Sequence, residues 1–186
     1  HQKGKHAPSL PYETKKNSPG PLPHITVLAK DQEGYENLLA LSTMSFREGF
    51  HHRPRIDHKT LVARQKGLVV LSGCPGGYPS RMLELGMHQQ VWDLMVWLSQ
   101  SIENYYVEVT PSPGSDTSHR VTDVLLSWAK RLGRPVVMTA DAHFPRPEDH
   151  EAQDLLLAVG LRKTVDDPTR ELKLPDYQFY CSASDI

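Results

Sequence analysis

Two cysteines, Cys74 and Cys181, are all that 186 residues contain, and they lie far apart. That is too few for a disulfide framework, so the chain reads as a protein of a reducing cytoplasm. Charge of either sign is not in excess: 21 Lys and Arg face 22 Asp and Glu, a formal net charge of -1. A general electrostatic grip on nucleic acid finds no support in this balance, and any contact with DNA has to be local. No apolar run approaches the roughly 20 residues of a membrane helix, and no signal peptide opens the sequence, so no membrane partner is expected. P-loop, G-x-S-x-G, G-x-G-x-x-G and C-x-x-C motifs are all missing. "SGCPGG" (72–77) lacks the Lys-Ser/Thr of a phosphate cradle and reads as a turn. Large aliphatics are scarce in "HQKGKHAPSLPYETKKNSPGPLP" (1–23), which is rich in Pro, Lys, Gly and Ser. It buries too little to offset the entropy of ordering, and is expected to be a loop or linker within a longer polypeptide.

Histidine, by contrast, is abundant, at ten residues. His51, His52 and His58 fall in a polar loop region, His88 in a helix, and His119 and His150 near helix starts; all six read as solvated or capping side chains. After the linker the pattern alternates strand and helix. "HITVLA" (24–29) reads as a buried strand. Asp31 caps a helix with Tyr35, Leu38, Leu39 and Leu41 or Ser42 on its apolar face. Gly49 and Pro54 interrupt 47–57, Asp57 caps a short helix over 58–66, and "GLVVLSG" (67–73) is a second strand. A long helix is expected from Ser80 to Ser101, buried through Leu83, Met87, Val91, Leu94, Met95 and Leu98. "NYYVEV" (104–109) is a third strand. Asp116 or Thr117 opens a helix carrying Val121, Val124, Leu125, Trp128 and Leu132, and Gly133 stops it. "RPVVMTA" (134–140) precedes a helix with Pro147 near its first turn and Gly160 beyond its end. "YQFYCS" (177–182) is a candidate last strand. Strand-helix units of this kind predict an α/β fold with parallel strands joined by helical crossovers, in a barrel or an open sheet.

In such folds function collects at the C-terminal ends of strands. Asp141 and His143 follow "VVMTA" and, two apart in extended chain, project to one side. A carboxylate and an imidazole there suit a first-row metal, or else cap the following helix. Cys74 follows "VVLSG" in the same relative place, as a ligand or a small buried hydrophobe. His24 begins its strand rather than ending it. Glu108, flanked by apolar residues, either points into a barrel mouth or pairs with Arg or Lys. Arg53, Arg55 and Arg146, near the same loops, are surface cations that can meet phosphate.

Three stretches carry a resemblance: "HITVLAKDQEGYENLLALSTMSFREGFHHRPRID", "GLVVLSGCPGG" and "VVMTADAHFPRPEDHEAQDLLLAVGLRKTVDDP", with "QFYCSASDI" as a closing segment. In order and spacing they resemble the PHP (polymerase and histidinol phosphatase) domain at the front of the bacterial DNA polymerase III alpha subunit, over residues 24–186. A phage-encoded or error-prone relative fits as well as a principal replicase.

The resemblance implies a distorted barrel of seven β/α units, of which this chain supplies the later ones. Its mouth would hold up to three divalent metal ions, zinc by expectation, with manganese as the alternative. His24 matches the "H-L-x-L-L-A" histidine, Cys74 the position after "L-S-G", and Asp141 and His143 the closing D-x-H motif. Glu108 matches a recurrent "Y-x-E" glutamate without an assigned role. The opening H-x-H motif and other ligands would lie upstream of residue 1. The polymerase palm would lie downstream, so this stretch alone is expected to be inactive. Function by resemblance is that of a metal-dependent phosphoesterase with 3′-5′ exonuclease activity inside a DNA-directed DNA polymerase. Its partners would be primer-template DNA, the remaining polymerase domains, a proofreading subunit and a sliding clamp. The alternatives are a non-catalytic module that braces the polymerase, and a free-standing histidinol phosphatase.

Overall fold

A computed structural model of the chain describes residues 23–110, 112, 115–170 and 172–180. The elements run β1 (Thr26–Ala29), α1 (Gln32–Arg47), α2 (His58–Ala63), β2 (Leu68–Leu71), α3 (Tyr78–Glu84), α4 (His88–Ser101), β3 (Tyr105–Val109), α5 (Asp116–Leu132), β4 (Val136–Met138) and α6 (His150–Gly160), the last preceded by a 3-10 turn at Pro147–Asp149. This is a mixed α/β fold, compatible with the PHP-type α/β fold expected. Among the described residues the sheet is open and four-stranded, in the order β1-β2-β3-β4.

Helix starts follow side-chain chemistry that the sequence displays. Asp31 accepts from the Gly34 N–H at 2.8 Å, and Asp57 from the Thr60 N–H at 2.7 Å, each satisfying a donor the first helical turn leaves unpaired. Ser115, one residue earlier than expected, caps α5 through the Ser118 N–H, and Gly133 ends it in the left-handed conformation. The single helix expected over 80–101 is instead two. Gly86 takes a φ of +76°, a conformation in which glycine pays no Cβ penalty, and the backbone reverses there before α4 begins. Gly160 is the last residue of α6 rather than the one beyond it.

The core forms around β2 and β3, whose Leu68, Val70, Tyr105 and Val107 are fully buried, with Val91, Leu94, Met95 and Leu98 of α4 and Leu125 of α5. Each such aliphatic side chain contributes about 1.5–3 kcal/mol by leaving water. Three expectations for the first unit need correction. Tyr35 and Leu39 of α1 are exposed and only Leu41 is buried, because α1 meets β1 and β2 along a narrow stripe. β1 is not a buried strand: it lies at a sheet edge, and Leu28 is 50% exposed. Nor is the sheet wholly parallel. β2, β3 and β4 are, but β1 runs antiparallel to β2, with Thr26 opposite Leu71 and Ala29 opposite Leu68. α1 carries the chain away from the end where β1 finishes, and residues 48–63 bring it back to the same end, so β2 starts beside the end of β1.

Near the C-terminus, residues 177–180 do not form a strand. One parallel bridge joins Phe179 to Phe144, and residues 181–182 of the expected strand lie outside the described residues. Arg170 is buried and makes a bidentate pair with Asp154 at 2.7 and 2.8 Å, holding the irregular stretch after α6 against that helix. The expected linker, 1–23, also lies outside the described residues apart from Pro23.

Candidate metal centre

The antiparallel pairing of β1 decides the geometry of the first half of the site. Because β1 runs opposite to β2, the beginning of β1 lies beside the end of β2. His24, just before β1, therefore meets Cys74, just after β2, with Nε2 2.9 Å from Sγ. Gly76 makes room for the imidazole: a Cβ placed there would stand 2.5 Å from His24 Cε1. A bridge between His24 and Gly77 holds the loop against the strand entrance.

The second half is built after β4. His143 Nε2 stands 3.6 Å from Asp141 Oδ2, so the pair does project to one side. Asp141 has a φ of +49°, in the left-handed region that costs an ordinary residue about 1–2 kcal/mol and that Asp tolerates through its short polar side chain. Gln178 fixes this pair from the closing segment. Its Nε2 donates to Asp141 Oδ2 at 3.1 Å, and its carbonyl accepts from the His143 N–H at 2.8 Å.

Between the halves lies Glu108 on β3, one of the two inner strands, 4% exposed. Its backbone N–H donates to Ser72 Oγ at 2.9 Å, and its Oε1 accepts from Thr139 Oγ1 at 2.8 Å. Electrostatics ties the same residues together. Burial pushes the Cys74 thiol above the ordinary cysteine range; the Gly76 backbone N–H opposes this, and the charges of Asp141 and Glu108 raise it further. A cation among these groups would reverse the balance and favour the thiolate.

Imidazole, thiol and carboxylate form a mixed donor set suited to a borderline divalent ion such as zinc. The four expected ligands nonetheless come as two pairs. Among the described residues, no three His, Cys, Asp or Glu side chains gather closely enough to hold an ion. Ser72, Thr139 and Gln178 escaped the sequence reading. Ser72 and Thr139 each follow the last residue of a strand, β2 and β4, and precede a candidate ligand by two positions. No sequence signal connects Gln178 to Asp141.

A cavity of about 960 Å³ opens beside His24, with Arg53, Arg55, His58, Ser72 and Tyr78 among its lining. Neither Arg53 nor Arg55 forms an ion pair among the described residues, whereas Arg146 is engaged by Asp149 at 3.3 Å and Glu148 at 3.8 Å. Of the other histidines, His88 packs edge-on to Trp128 and His150 Nε2 lies 2.9 Å from the Leu174 carbonyl, both in structural roles.

The chain is 36% identical over 168 residues to the DNA polymerase III subunit alpha of Treponema pallidum, which aligns 87% of this chain with 14% of that protein. It is 36% identical over 158 residues to the same subunit of Thermus aquaticus, covering 84% of this chain and 13% of the relative. For Deinococcus radiodurans the figures are 34% over 158 residues, 84% and 12%. The chain thus spans about one seventh of the length of these relatives. The family profile of the PHP domain matches residues 10–112, which include His24, Cys74 and Glu108, and so the chain belongs to the PHP domain family.

Proposed function

We propose that this chain is the C-terminal part of a PHP domain in a DNA polymerase III alpha-type polymerase, and that the complete domain is a metal-dependent phosphoesterase acting as a 3′-5′ exonuclease. In this reading the domain closes into a distorted barrel of seven β/α units, with further ligands supplied from polypeptide outside this chain. The observation that carries it is the meeting of His24 with Cys74 and of Asp141 with His143 at one end of the sheet.

His24, Cys74, Asp141 and His143 would hold the metal, with zinc the expected ion, up to three in the domain, and manganese the alternative. A bound ion of this kind supplies hydroxide at neutral pH and screens the charge that grows on phosphate. This chain's own residues prepare the site. Gln178 orients the Asp141 carboxylate, Gly76 leaves space for His24, and Arg53 and Arg55, without carboxylate partners among the described residues, are placed to meet the phosphates of a primer end. Primer-template DNA and the remaining polymerase domains are the partners this implies, with a proofreading subunit and sliding clamp as further ones in a bacterial cytoplasm. No helix among the described residues is long and apolar enough to cross a membrane.

One observation favours a second reading, that of a non-catalytic module bracing the polymerase: no triad of ligands is assembled among the described residues. A histidinol phosphatase has no comparable support, since the relatives cited above are polymerase subunits. Metal analysis and an exonuclease assay on a mismatched primer decide between the first two. The full-length protein is expected to bind zinc and excise the mismatch, and to lose both on His143→Ala. Absence of both from the wild type would refute the catalytic reading.

A further inference from the structure

Charge is balanced over the chain as a whole but not along its length. Residues 47–66 carry six Lys and Arg against two Asp and Glu, in a sequence whose formal net charge is -1. Arg47, Arg53 and Arg55 form no ion pair among the described residues. Like charges held together repel, and a folded surface usually intersperses them with the opposite sign. Aromatic rings occupy the same stretch. Phe46, at the end of α1, is 62% exposed, and Phe50, just beyond it, 59%. His51 and His52 follow, their rings edge-on with centroids 4.5 Å apart.

The backbone makes these residues one projection. Gly49 lets the two ends of the excursion close, since a Cβ there would overlap the Arg55 carbonyl oxygen. Between those ends the His51 N–H donates to the Arg53 carbonyl at 3.1 Å, and His52 turns the chain in left-handed backbone with a φ of +62°. Phe50, His51, His52 and Arg53 are thereby presented together on a short loop. Arg53 and Arg55 also line the cavity beside His24, so the loop borders the candidate metal centre. Exposed rings among unpaired guanidinium groups match one kind of polymer closely. A duplex offers phosphates but keeps its base faces stacked on one another. A single strand offers both phosphates and open base faces, and proteins hold it with cations along the backbone and rings under the bases.

We infer that residues 46–55 form a contact surface for single-stranded DNA, with Phe46 and Phe50 stacking on bases and Arg47, Arg53 and Arg55 meeting the phosphates. This deepens the exonuclease reading above and rests on it for the identity of the strand, the unpaired 3′ end of a mismatched primer leading toward His24. Stacking tolerates any base, because every base has a π-face, and removal of any mismatch needs that indifference.

The test is photo-cross-linking of the full-length protein to a single-stranded oligodeoxynucleotide carrying iododeoxyuridine, in chelator so that nothing is cut, with adducts mapped by mass spectrometry. Adducts are expected within residues 46–55. In parallel, excision from a mismatched primer is compared for wild type, Phe46→Ala, Phe50→Ala, Phe50→Tyr and Arg53→Ala. Each Phe→Ala change should raise KM about tenfold with little change in kcat. Phe50→Tyr keeps a ring and should keep the wild-type KM, and Arg53→Ala should make KM less sensitive to salt. Tm should stay at the wild-type value throughout, because these side chains are exposed. Adducts confined to other segments, with wild-type KM in both Phe→Ala variants, would refute the surface and leave the exonuclease standing. A lowered Tm in those variants without adducts would refute it as well, and would assign the rings to a contact with the rest of the polymerase. Adducts within 46–55 on a wild type that excises nothing would sustain the surface and overturn the exonuclease reading.

Discussion

Substituting Gly76 by Ala adds one methyl group against the His24 imidazole. The new Cβ would lie 2.5 Å from His24 Cε1, against an ordinary carbon–carbon contact of roughly 3.5 Å, so the ring has to retreat by about 1 Å. That retreat is several times the roughly 0.2 Å tolerance of a metal–ligand bond. His24 Nε2 now stands 2.9 Å from Cys74 Sγ, and separating the pair spoils their convergence on one ion. Gly76 does not occupy left-handed backbone, so alanine brings no conformational strain of its own. The fold should survive while the site suffers. We expect a loss of about 10- to 100-fold in zinc affinity, or ~1.4–2.7 kcal/mol, with little change in metal-free Tm. A double-mutant cycle sharpens the test. In a His24→Ala background the clash has no target, so Gly76→Ala should cost nothing further, and the coupling between the two positions should equal the single-mutant loss. Chelator competition measures all four proteins. Additive losses, or wild-type affinity in Gly76→Ala alone, would refute the reasoning.

Other outcomes follow from single groups. Tyr105 is fully buried and its hydroxyl has no hydrogen-bond partner among the described residues, so Tyr105→Phe should leave stability unchanged or raise it by about 1–3 kcal/mol in urea denaturation. Leu94→Ala, in the centre of the core, should cost about 2–5 kcal/mol in the same assay. His58 lies against Trp97, and burial holds its imidazole below the ordinary 6.5 in spite of Asp57. The unfolded chain therefore takes up this proton more readily, and stability should decline as pH drops below about 6.5, ceasing to change once the folded imidazole is also protonated. His58→Gln should flatten that part of a Tm-versus-pH curve. Arg170→Met removes the bidentate grip on Asp154, and hydrogen exchange should rise across 161–170 while β2 and β3 stay protected.

Local chemistry was legible without coordinates wherever a side chain acts on its own neighbourhood. Asp31 and Asp57 as caps, Gly133 as a helix stop, and the burial of Leu94 and Leu98 follow from positions one to four residues apart. Gly86 shows where that legibility ends: inside a helical pattern a glycine reads as a tolerated weakness, and only the packed chain turns it into a break between α3 and α4. Tyr35 and Leu39 fail similarly, because periodicity marks an apolar face but not how much of it a neighbour covers.

The candidate ligands divide along the same line. The family resemblance named His24 and Cys74, and residue types and spacing already pointed to Asp141 and His143; these two do lie side by side, but through the left-handed backbone of Asp141 rather than the extended chain expected. That His24 meets Cys74 was not readable. A strand-initial residue and a strand-final one lie at opposite ends of a parallel pair, and in that arrangement these two would never touch. Only the reversal of β1 against β2 brings them to 2.9 Å, and that reversal is set by where α1 and residues 48–63 deliver the chain. The buried state of Glu108, the reach of Gln178 to Asp141 and the grip of Arg170 on Asp154 have the same origin. Each depends on contacts between residues distant in sequence, and the free energy that fixes such contacts comes from the packing of the whole sheet and its helices, which no single stretch encodes.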